Sequence, residues 1–235
     1  MKTLIIAAGN GTRLREYTES IPKPLVLLNE KSLIEIIIGK CKNLGLNDFI
    51  IVTGYLEEKL KRDVNKMGIN VEFISNPDFD KENGISVYCA RNSLKNENMF
   101  LLLMTDHIFD SNLLNVLLDC KMSTGCTLAI DKEISKVLDL KDATKVYHNN
   151  GKILNIDKNL NNYNAIDTGF FLCTQDIFVA LKQSIGNGRY KLSDAMKLLA
   201  KNEELSAVDV TGNFWLDIDT AMDVEFARKK LHLMN

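Results

Sequence analysis

The chain has 235 residues, of which 46% are hydrophobic, and its 29 Lys and Arg against 31 Asp and Glu give a formal net charge of −2. Such a chain can bury a large core, and its nearly balanced charge gives no support to a general binder of nucleic-acid backbones. No apolar run approaches the ~20 residues of a membrane span, and no secretory signal precedes the first predicted strand. Because the five cysteines include no C-x-x-C pair, we expect reduced thiols and a cytoplasmic protein without nucleic-acid or membrane partners.

Strand-like and helix-like segments alternate through the first half of the chain. Apolar runs and amphipathic stretches predict, in order, strand 3–8, helix 32–46, strand 48–54, helix 55–68, strand 70–75 and strand 99–106. The last of these strands is the most hydrophobic, so we expect it near the centre of a sheet. This order of strands and helices is typical of parallel sheets covered by helices.

The second half of the chain mixes strands with a hairpin. Its pattern predicts strands at 125–132 and 167–174, two strand pieces around a turn at 149–151 within 143–157, a loop at 159–164, and helices at 191–203 and 220–233. Thr220 and Asp223 have the spacing of a capping box. The two halves together predict an α/β fold, with a Rossmann-like mixed, mainly parallel sheet and helices on both faces. We expect a single domain over 1–235, with lobes at about 1–120 and about 121–235.

The first predicted strand runs directly into the glycine loop of AAGNGTRL, residues 7–14. Gly9 and Gly11 allow the backbone to come close to an anion, and successive N–H groups can form a nest for phosphate. Arg13 adds a fixed positive charge. Leu14 stands where a dinucleotide fingerprint needs its third glycine, and the P-loop pattern is also absent. The loop therefore predicts a phosphate site of another kind, although a Gly-x-Gly after a strand also occurs in plain turns.

Lys23 lies between two prolines in IPKPL, residues 21–25. Proline fixes its own φ and restricts the preceding residue, so this lysine is held on a stiff, extended segment. A loop lysine is usually a solvated surface charge. Here the rigid setting, close in sequence to the glycine loop, favours a phosphate-binding role.

These two motifs, AAGNGTRL followed by PKPL, resemble the nucleotidyltransferases that couple a nucleoside triphosphate to a phosphorylated sugar or alcohol. The resemblance extends over nearly the whole chain, through TGY (53–55), ENGISV (82–87), MTDH (104–107), DATKV (142–146), DTGFF (167–171) and FWLDIDT (214–220). Within this family, the chain is most similar to the CTP:inositol-1-phosphate cytidylyltransferases. The resemblance implies a GT-A-like fold, and transfer of CMP from CTP to a phosphorylated small alcohol such as inositol 1-phosphate, with Mg²⁺ as cofactor and pyrophosphate as product.

In such a reaction an anionic phosphate attacks another phosphate, so catalysis depends on positioning and electrostatics and needs no general base. By the resemblance, Arg13 and Lys23 are the catalytic cations that neutralise the triphosphate. The residues expected around the nucleotide are Ala7, Ala8, Gly9, Asn10, Gly11, Thr12, Arg13, Lys23, Thr53, Gly54, Asn83, Gly84 and Ser86. An asparagine side chain presents both a donor and an acceptor, as a cytosine edge requires, although Asn-Gly is also a common turn.

Carboxylates after the central strand and in WLDIDT suit Mg²⁺, which prefers oxygen ligands. The expected metal ligands are Asp106 and Asp217; Asp219 is a lesser candidate that could instead be a structural cap. The residues expected around the acceptor are Asp106, His107, Lys145, Lys158, Asp167, Thr168 and Gly169. We expect the two lysines to bind the acceptor phosphate, although lone lysines are commonly solvent-exposed. His107 is expected to hydrogen-bond phosphate or hydroxyl groups rather than the metal.

Three alternatives remain open from the sequence. The acceptor could be a phosphonate or phosphocholine, which the acceptor half at 125–215 decides. The donor could be UTP, dTTP or GTP, with a sugar 1-phosphate as acceptor. A non-catalytic, nucleotide-sensing regulatory subunit would be expected to lack a cation or a metal carboxylate, whereas Arg13, Lys23, Asp106 and Asp217 are all present. The sequence indicates no particular oligomeric state.

Overall fold

A nine-stranded sheet runs through the computed structural model, which describes residues 1–120 and 125–234. The strands, in chain order, are β1 (Thr3–Ala7), β2 (Leu27–Leu28), β3 (Lys31–Ser32), β4 (Asp48–Thr53), β5 (Asn70–Ser75), β6 (Phe100–Met104), β7 (His107–Phe109), β8 (Cys126–Asp131), β9 (Lys145–Asn149), β10 (Lys152–Asp157), β11 (Ala165–Cys173), β12 (Leu205–Asp209) and β13 (Trp215–Asp217). The order across the large sheet is β5-β4-β1-β6-β11-β8-β12-β10-β9. β2 pairs with β3, and β7 pairs with β13, in two separate two-stranded ribbons.

The large sheet is mixed, as the sequence predicts. β5, β4, β1 and β6 are parallel to one another, and β8 is parallel to β12. β11 and β10 run against their neighbours, so the other strands of this sheet all point the same way. Because β11 pairs with both β6 and β8, it joins the strands of the two halves into one continuous sheet.

Helices cover both faces of this sheet. In chain order they are α1 (Arg15–Thr18), α2 (Leu33–Asn43), α3 (Glu57–Asn65), α4 (Asn83–Cys89), α5 (Arg91–Leu94), α6 (Ser111–Leu118), α7 (Asp176–Gly186), α8 (Leu192–Lys201) and α9 (Ala221–Met234), with short 3-10 helices at Thr12–Leu14, Lys23–Leu25 and Ile134–Lys136. One buried cluster packs α4, α5, α7 and α8 on one face. A second packs α2, α3 and α6 on the other face, and a third packs α9 against the two ribbons.

The alternation of side chains along β1 explains why both faces are apolar. Leu4 and Ile6 belong to one buried cluster, and Ile5 and Ala7 belong to the other, because successive side chains of a strand point to opposite faces. All five residues of β1 are buried, as expected of a strand that is covered twice. This packing fixes the carboxyl end of β1, where the glycine loop begins.

The predicted elements are present, with boundaries shifted by a few residues. The predicted cap of the last helix is confirmed, since Thr220 N donates to Asp223 Oδ2 at 2.7 Å and Asp223 N donates to Thr220 Oγ1 at 3.3 Å. The sequence analysis missed α4, α5, α6, α7 and β12, although in α7 Ile177, Phe178 and Leu181 have helical spacing and are buried. Among the described residues, no helix combines the length and the apolar character needed to cross a bilayer.

Candidate active site

The glycine loop after β1 lies against the segment that carries Lys23. Gly11 has a φ of +60°, and a Cβ there would lie 3.1 Å from Lys23 Cβ, so the close approach favours glycine. The Gly11 carbonyl accepts hydrogen bonds from Leu14 N and from Thr18 Oγ1, both at 2.9 Å. These bonds hold the glycine loop in place, and its close approach at Gly11 packs it against the proline-flanked segment, where Lys23 is only 8% exposed.

Buried ion pairs surround the Lys23 ammonium. Its Nζ donates to Asp219 Oδ1 at 2.7 Å and to Asp106 Oδ2 at 3.0 Å. Burial alone would lower the pKa of this lysine, but the charges of Asp106 and Asp219 outweigh it and raise the pKa above its ordinary value. Lys23 is therefore a permanent cation at the carboxyl ends of the parallel strands.

Asp219 also pairs with Arg13, whose Nη2 lies 2.5 Å from Asp219 Oδ2. Both carboxylate oxygens of Asp219 are therefore occupied by cations, one by Arg13 and the other by Lys23. A carboxylate held by two cations fixes their positions relative to each other. The place of Asp219 among the metal ligands stays a prediction.

The ribbon of β7 and β13 brings together two carboxylates that are far apart in the chain. Asp217 lies opposite His107 in this antiparallel pair, and Asp106 precedes His107. Ligand atoms of these three residues lie within 4.8 Å of one another. Asp217 Oδ1 is buried and has no hydrogen-bond partner among the described residues. A buried, unpaired carboxylate oxygen beside a second carboxylate fits a hard cation that prefers oxygen ligands.

The electrostatics of this cluster reflect the crowding of its charges. Burial, together with the nearby charges of Asp106 and Asp219, raises the pKa of Asp217 to about 7. Burial would lower the pKa of His107, but Asp217 and Asp106 raise it to about 9. His107 Nδ1 lies 2.7 Å from Asp106 Oδ1, and Lys23 and His107 outweigh burial and hold the pKa of Asp106 well below its usual range. The imidazole thus orients one carboxylate of the cluster and neutralises part of its charge.

Aromatic rings fix the His107 side chain from two sides. The Trp215 ring stacks beside it, with centroids 6.5 Å apart, and Phe170 meets it edge-on at 5.7 Å. Trp215 Nε1 in turn donates to Asp131 Oδ2 at 2.8 Å. Gly169, with a φ of +80°, leaves room for the ring, since a Cβ there would lie 2.5 Å from His107 Nε2. These contacts give His107 a fixed position.

One large cleft, with a volume of about 1270 Å³, contains most of the predicted site residues. Those that line it are Gly9, Arg13, Lys23, Asn83, Ser86, Asp106, His107, Lys158, Asp167, Gly169, Asp217 and Asp219. Residues from both halves of the chain form its walls. The glycine loop, the acidic segments and DTGFF, which the sequence assigns to one site, thus lie around the same cleft.

Asn83, Gly84 and Ser86 begin α4 rather than a turn. Asn83 Oδ1 accepts a hydrogen bond from Leu192 N at 3.0 Å, and Gly84 N donates to the Tyr190 carbonyl at 2.9 Å. A Cβ on Gly84 would lie 2.6 Å from that carbonyl oxygen, so glycine permits α4 to approach the start of α8. These contacts place the amide of Asn83 at the wall of the cleft.

Several residues predicted around the nucleotide support the site without lining the cleft. The Thr53 side chain is fully buried, and its hydroxyl donates to Glu57 Oε2 at 2.8 Å. A Cβ on Gly54 would lie 2.4 Å from Phe79 Cβ, so glycine here allows close packing. Ala7 and Ala8 are buried at the end of β1. Asn10 and Thr12 are exposed parts of the glycine loop.

Two residues predicted to bind the acceptor do not line the cleft. Along β11, Asp167 and Gly169 face the cleft, while Thr168 points to the opposite face, is fully buried and donates to the Ala129 carbonyl at 2.7 Å. The alternation of a strand explains this difference from the prediction. Lys145 is also buried, and its Nζ donates to the Lys141 carbonyl at 3.2 Å.

The sequence analysis missed a carboxylate that bridges two predicted cations. Asp142 Oδ2 lies 2.7 Å from Arg13 Nη1, and Asp142 Oδ1 lies 2.5 Å from Lys158 Nζ. Asp142 is the first residue of DATKV, a motif in which the sequence predicts a role only for Lys145. The start of α8, which also lines the cleft at Leu192, gave no motif.

Comparison with known proteins agrees with this geometry. Residues 2–136 match the family described as Nucleotidyl transferase. The chain is 34% identical over 229 residues to the bifunctional IPC transferase and DIPP synthase of Aquifex aeolicus, which covers 97% of this chain and 51% of that protein. It is 26% identical to the CTP:phosphoglutamine cytidylyltransferase of Campylobacter jejuni, with 98% of this chain and 100% of that protein covered.

The fold also has a counterpart among solved structures. The inositol-1-phosphate CTP transferase from T. maritima superposes with a TM-score of 0.87 at 22% identity, and the match covers 98% of this chain and 95% of that one. The chain spans about half the length of the bifunctional relatives that it matches. The family match over more than half of its residues, together with the shared fold, shows that this chain belongs to the nucleotidyl transferase family.

Proposed function

We propose that this chain transfers CMP from CTP to the phosphate of a small phosphorylated alcohol of the inositol 1-phosphate type. An acceptor phosphate oxygen forms a bond to the α-phosphorus of CTP, and the bond from that phosphorus to the oxygen bridging to the β-phosphate breaks. Pyrophosphate leaves with the electron pair of the broken bond. The nucleophile is already an anion, so the protein needs to bring like charges together rather than to remove a proton.

The observation that carries this proposal is the meeting of Lys23 with Asp106 and Asp217 at one end of the sheet. A buried permanent cation and two carboxylates in one cleft provide countercharge for a triphosphate and ligands for a divalent ion. In this proposal Lys23 donates hydrogen bonds to the α-phosphate, where charge grows in the transition state, and Arg13 donates hydrogen bonds to the outer phosphates. Such prearranged charge is usually the largest contribution to catalysis of this kind.

Mg²⁺ is the cofactor that the residues fit best. The buried, unpartnered Asp217 Oδ1 and the carboxylate of Asp106 supply oxygen ligands, and His107 holds Asp106 in place through its Nδ1. When bound, Mg²⁺ would neutralise triphosphate charge and favour departure of pyrophosphate. Asp219 stays with Arg13 and Lys23 and sets their spacing.

The two lobes have different tasks in this proposal. Residues of about 1–120 hold CTP, with the glycine loop from Ala7 to Arg13 at the phosphates and Asn83 at the base. The side-chain Oδ1 of Asn83 already accepts a hydrogen bond from Leu192 N. The side-chain NH₂ group of Asn83 therefore remains to donate to the acceptor atoms of a cytosine edge. Residues of about 121–235 hold the acceptor, with Lys158 at its phosphate and Asp167 at its hydroxyl groups.

The names of the compared proteins agree on CTP as the nucleotide donor but differ in the acceptor. CTP appears in the names of two compared proteins whose acceptors differ, inositol 1-phosphate in one and phosphoglutamine in the other. The 34% identical bifunctional relative favours an inositol-type acceptor, because its name includes an IPC transferase. The five cysteines are free, which supports the further proposal that the chain works in the reducing cytoplasm.

A matrix of substrates tests the proposal. The purified chain with Mg²⁺ would receive CTP, UTP, dTTP or GTP, each with inositol 1-phosphate, phosphocholine, phosphoglutamine, a phosphonate or glucose 1-phosphate. Pyrophosphate release and the mass of the nucleotide product report turnover. We expect the CTP and inositol 1-phosphate pair to react fastest. Faster reaction of another pair would reassign the substrates, and no release with any pair would favour a nucleotide-sensing subunit.

A further inference from the structure

The Asp142 carboxylate connects two cations that the proposed function assigns to different substrates. Asp142 Oδ2 pairs with Arg13, which lies in the segment after β1 and is assigned to the triphosphate. Asp142 Oδ1 pairs with Lys158, which follows β10 and is assigned to the acceptor phosphate. A single carboxylate therefore links the two cations that would bind the two phosphates.

The position of Asp142 is built into a turn. Asp142 N donates to Asp139 Oδ1 at 3.1 Å, and Ala143 N donates to the Asp139 carbonyl at 3.0 Å. The bonds from Lys158 and Arg13 outweigh partial burial and lower the pKa of Asp142. The turn thus presents an ionised carboxylate at the wall of the cleft, and this charge stands where incoming phosphates need countercharge.

The Asp142 pairs are more open to solvent than those of Lys23. The side chains of Arg13, Asp142 and Lys158 are 53%, 38% and 50% exposed, respectively. Exposed ion pairs contribute little free energy, so a phosphate that carries more charge can replace the carboxylate. The more deeply buried pairs of Lys23 do not offer this exchange so readily.

Resting on the proposed function, we propose that Asp142 is a positioning residue that holds Arg13 and Lys158 until substrates arrive and that couples the binding of the two substrates. A triphosphate that binds Arg13 displaces Asp142 from this arginine, so Asp142 loses one of its two partners. It also brings negative charge close to the carboxylate, which repels it. The carboxylate turns away, Lys158 becomes free, and the acceptor phosphate binds more tightly. Because coupling of binding sites is reciprocal, the acceptor also tightens CTP.

Calorimetric titration of Asp142→Asn tests this coupling. CTP would be titrated into wild type and variant with Mg²⁺ omitted and EDTA present, so that no turnover occurs, with and without saturating inositol 1-phosphate. Without acceptor, we expect the variant to bind CTP about twofold to fivefold more tightly than wild type, as expected for release of one exposed pair. Inositol 1-phosphate should tighten CTP by a similar factor in wild type and leave the variant unchanged.

The matched control is Glu203→Gln, which removes the same single negative charge. Glu203 pairs with Lys152 at 2.7 Å and lies outside the cleft, so its loss should not change CTP affinity or coupling. High salt should reduce the difference between wild type and Asp142→Asn, because exposed charges are screened. A purely structural role for Asp142 would lower thermal stability without producing this salt dependence.

The outcomes separate this inference from the proposed function. If wild type turns over but Asp142→Asn shows unchanged CTP affinity and unchanged coupling, the inference is wrong and the function stands. Weaker binding of either substrate by the variant would also overturn it, since Asp142 would then contact substrate directly. If another acceptor reacts in the substrate matrix, that acceptor replaces inositol 1-phosphate in the titration. If wild type bound no triphosphate either in EDTA or with Mg²⁺ in the absence of acceptor, both would be overturned.

Discussion

The ammonium of Lys23 and the carboxylate of Asp219 lie 2.7 Å apart, although 196 residues separate them in the chain. The same carboxylate binds Arg13 through its other oxygen. One acidic side chain from the carboxyl-terminal part of the chain therefore fixes the spacing of two cations from the amino-terminal part. This relationship sets what can be expected of changes at Lys23.

Replacing Lys23 should lower turnover more than substrate affinity. We expect Lys23→Ala to reduce kcat by about 100-fold or more, because the lysine acts on charge that develops in the transition state. The KM for CTP should change much less. Steady-state kinetics with pyrophosphate detection would measure both quantities.

Two controls accompany the Lys23 variant. Lys152→Ala removes an exposed cation that pairs with Glu203 outside the cleft and should leave kcat unchanged. Circular dichroism and thermal unfolding would show whether Lys23→Ala is folded, since the change removes a buried cation shared by Asp106 and Asp219 and should cost stability. A folded Lys23→Ala protein with the kcat of wild type would contradict the assigned role.

Mg²⁺ should stabilise the wild-type fold, and more so at pH 8 than at pH 6. Burial raises the pKa of Asp217 from 3.8 to about 7, so this carboxyl favours folding below about pH 4, and that contribution is lost as the pH rises through 7. Bound Mg²⁺ opposes this loss of stability with rising pH, because Mg²⁺ binds only the ionised carboxylate of Asp217. With Mg²⁺ at about 100 times its Kd, the gain is about 2.7 kcal/mol.

Thermal unfolding with Mg²⁺ or with EDTA would measure this effect. Asp217→Asn should abolish most of the shift in Tm, whereas Asp209→Asn, an exposed carboxylate paired with Lys132, should retain it. An equal shift in wild type and Asp217→Asn would place the ion elsewhere.

Asp167→Asn should make the fold more stable at high pH and weaken the binding of the acceptor. Burial raises the pKa of Asp167 to about 6, partly opposed by the hydrogen bond from Gly169 N. Its contribution to folding is therefore present below about pH 4 and lost as the pH rises through 6. At pH 8 the variant should be more stable by about 1–2 kcal/mol, and at pH 4 this gain should be absent.

Urea unfolding at the two pH values and initial-rate kinetics would test both sides of this expectation. The KM for the acceptor should rise about tenfold, because a hydrogen-bond acceptor for substrate hydroxyl groups is weakened, while the KM for CTP should stay constant. A change confined to the KM for CTP would show that Asp167 faces the nucleotide instead.

Gly84→Ala should destabilise the chain, and Gly39→Ala should not. A Cβ on Gly84 meets the Tyr190 carbonyl oxygen at 2.6 Å, whereas nothing lies within 4 Å of a Cβ on Gly39. We expect a loss of about 1–3 kcal/mol at Gly84 from the clash between α4 and α8. At Gly39, inside α2, alanine should add about 0.5–1 kcal/mol through helix propensity. Chemical denaturation would measure the stability of both variants, and equal effects would contradict the close packing of Gly84 against Tyr190.

The sequence predicts those parts of the site whose chemistry depends on local segments. The glycine loop, the proline-flanked Lys23 and the acidic WLDIDT segment each have a local pattern, and all reach the cleft. Strand alternation could also have separated Asp167 from Thr168, because the period of two was already visible in the predicted strand. A family motif, by contrast, covers consecutive residues and does not separate the two faces of a strand.

Other parts of the site depend on distant pairing that no local pattern contains. The pairing of Asp219 with both cations requires the segment between β13 and α9 to lie beside the glycine loop, and the Asp142 bridge requires the turn at 139–143 to close on Lys158. Single-sequence periodicity gives no information on which carboxylate meets which cation across the sheet. The ribbon that aligns His107 with Asp217 is too short for a periodic signal, since β7 and β13 have three residues each.

Trp215 is the single tryptophan of the chain, and it stacks on His107 at the wall of the cleft. Its indole emission therefore comes from one place in the molecule and depends on the polarity and the charge beside it. Ligands that enter the cleft or alter the charge of His107 should shift or quench that emission. The protein thus contains its own optical probe, with which the arrival of nucleotide, metal and acceptor can be followed one at a time without a label.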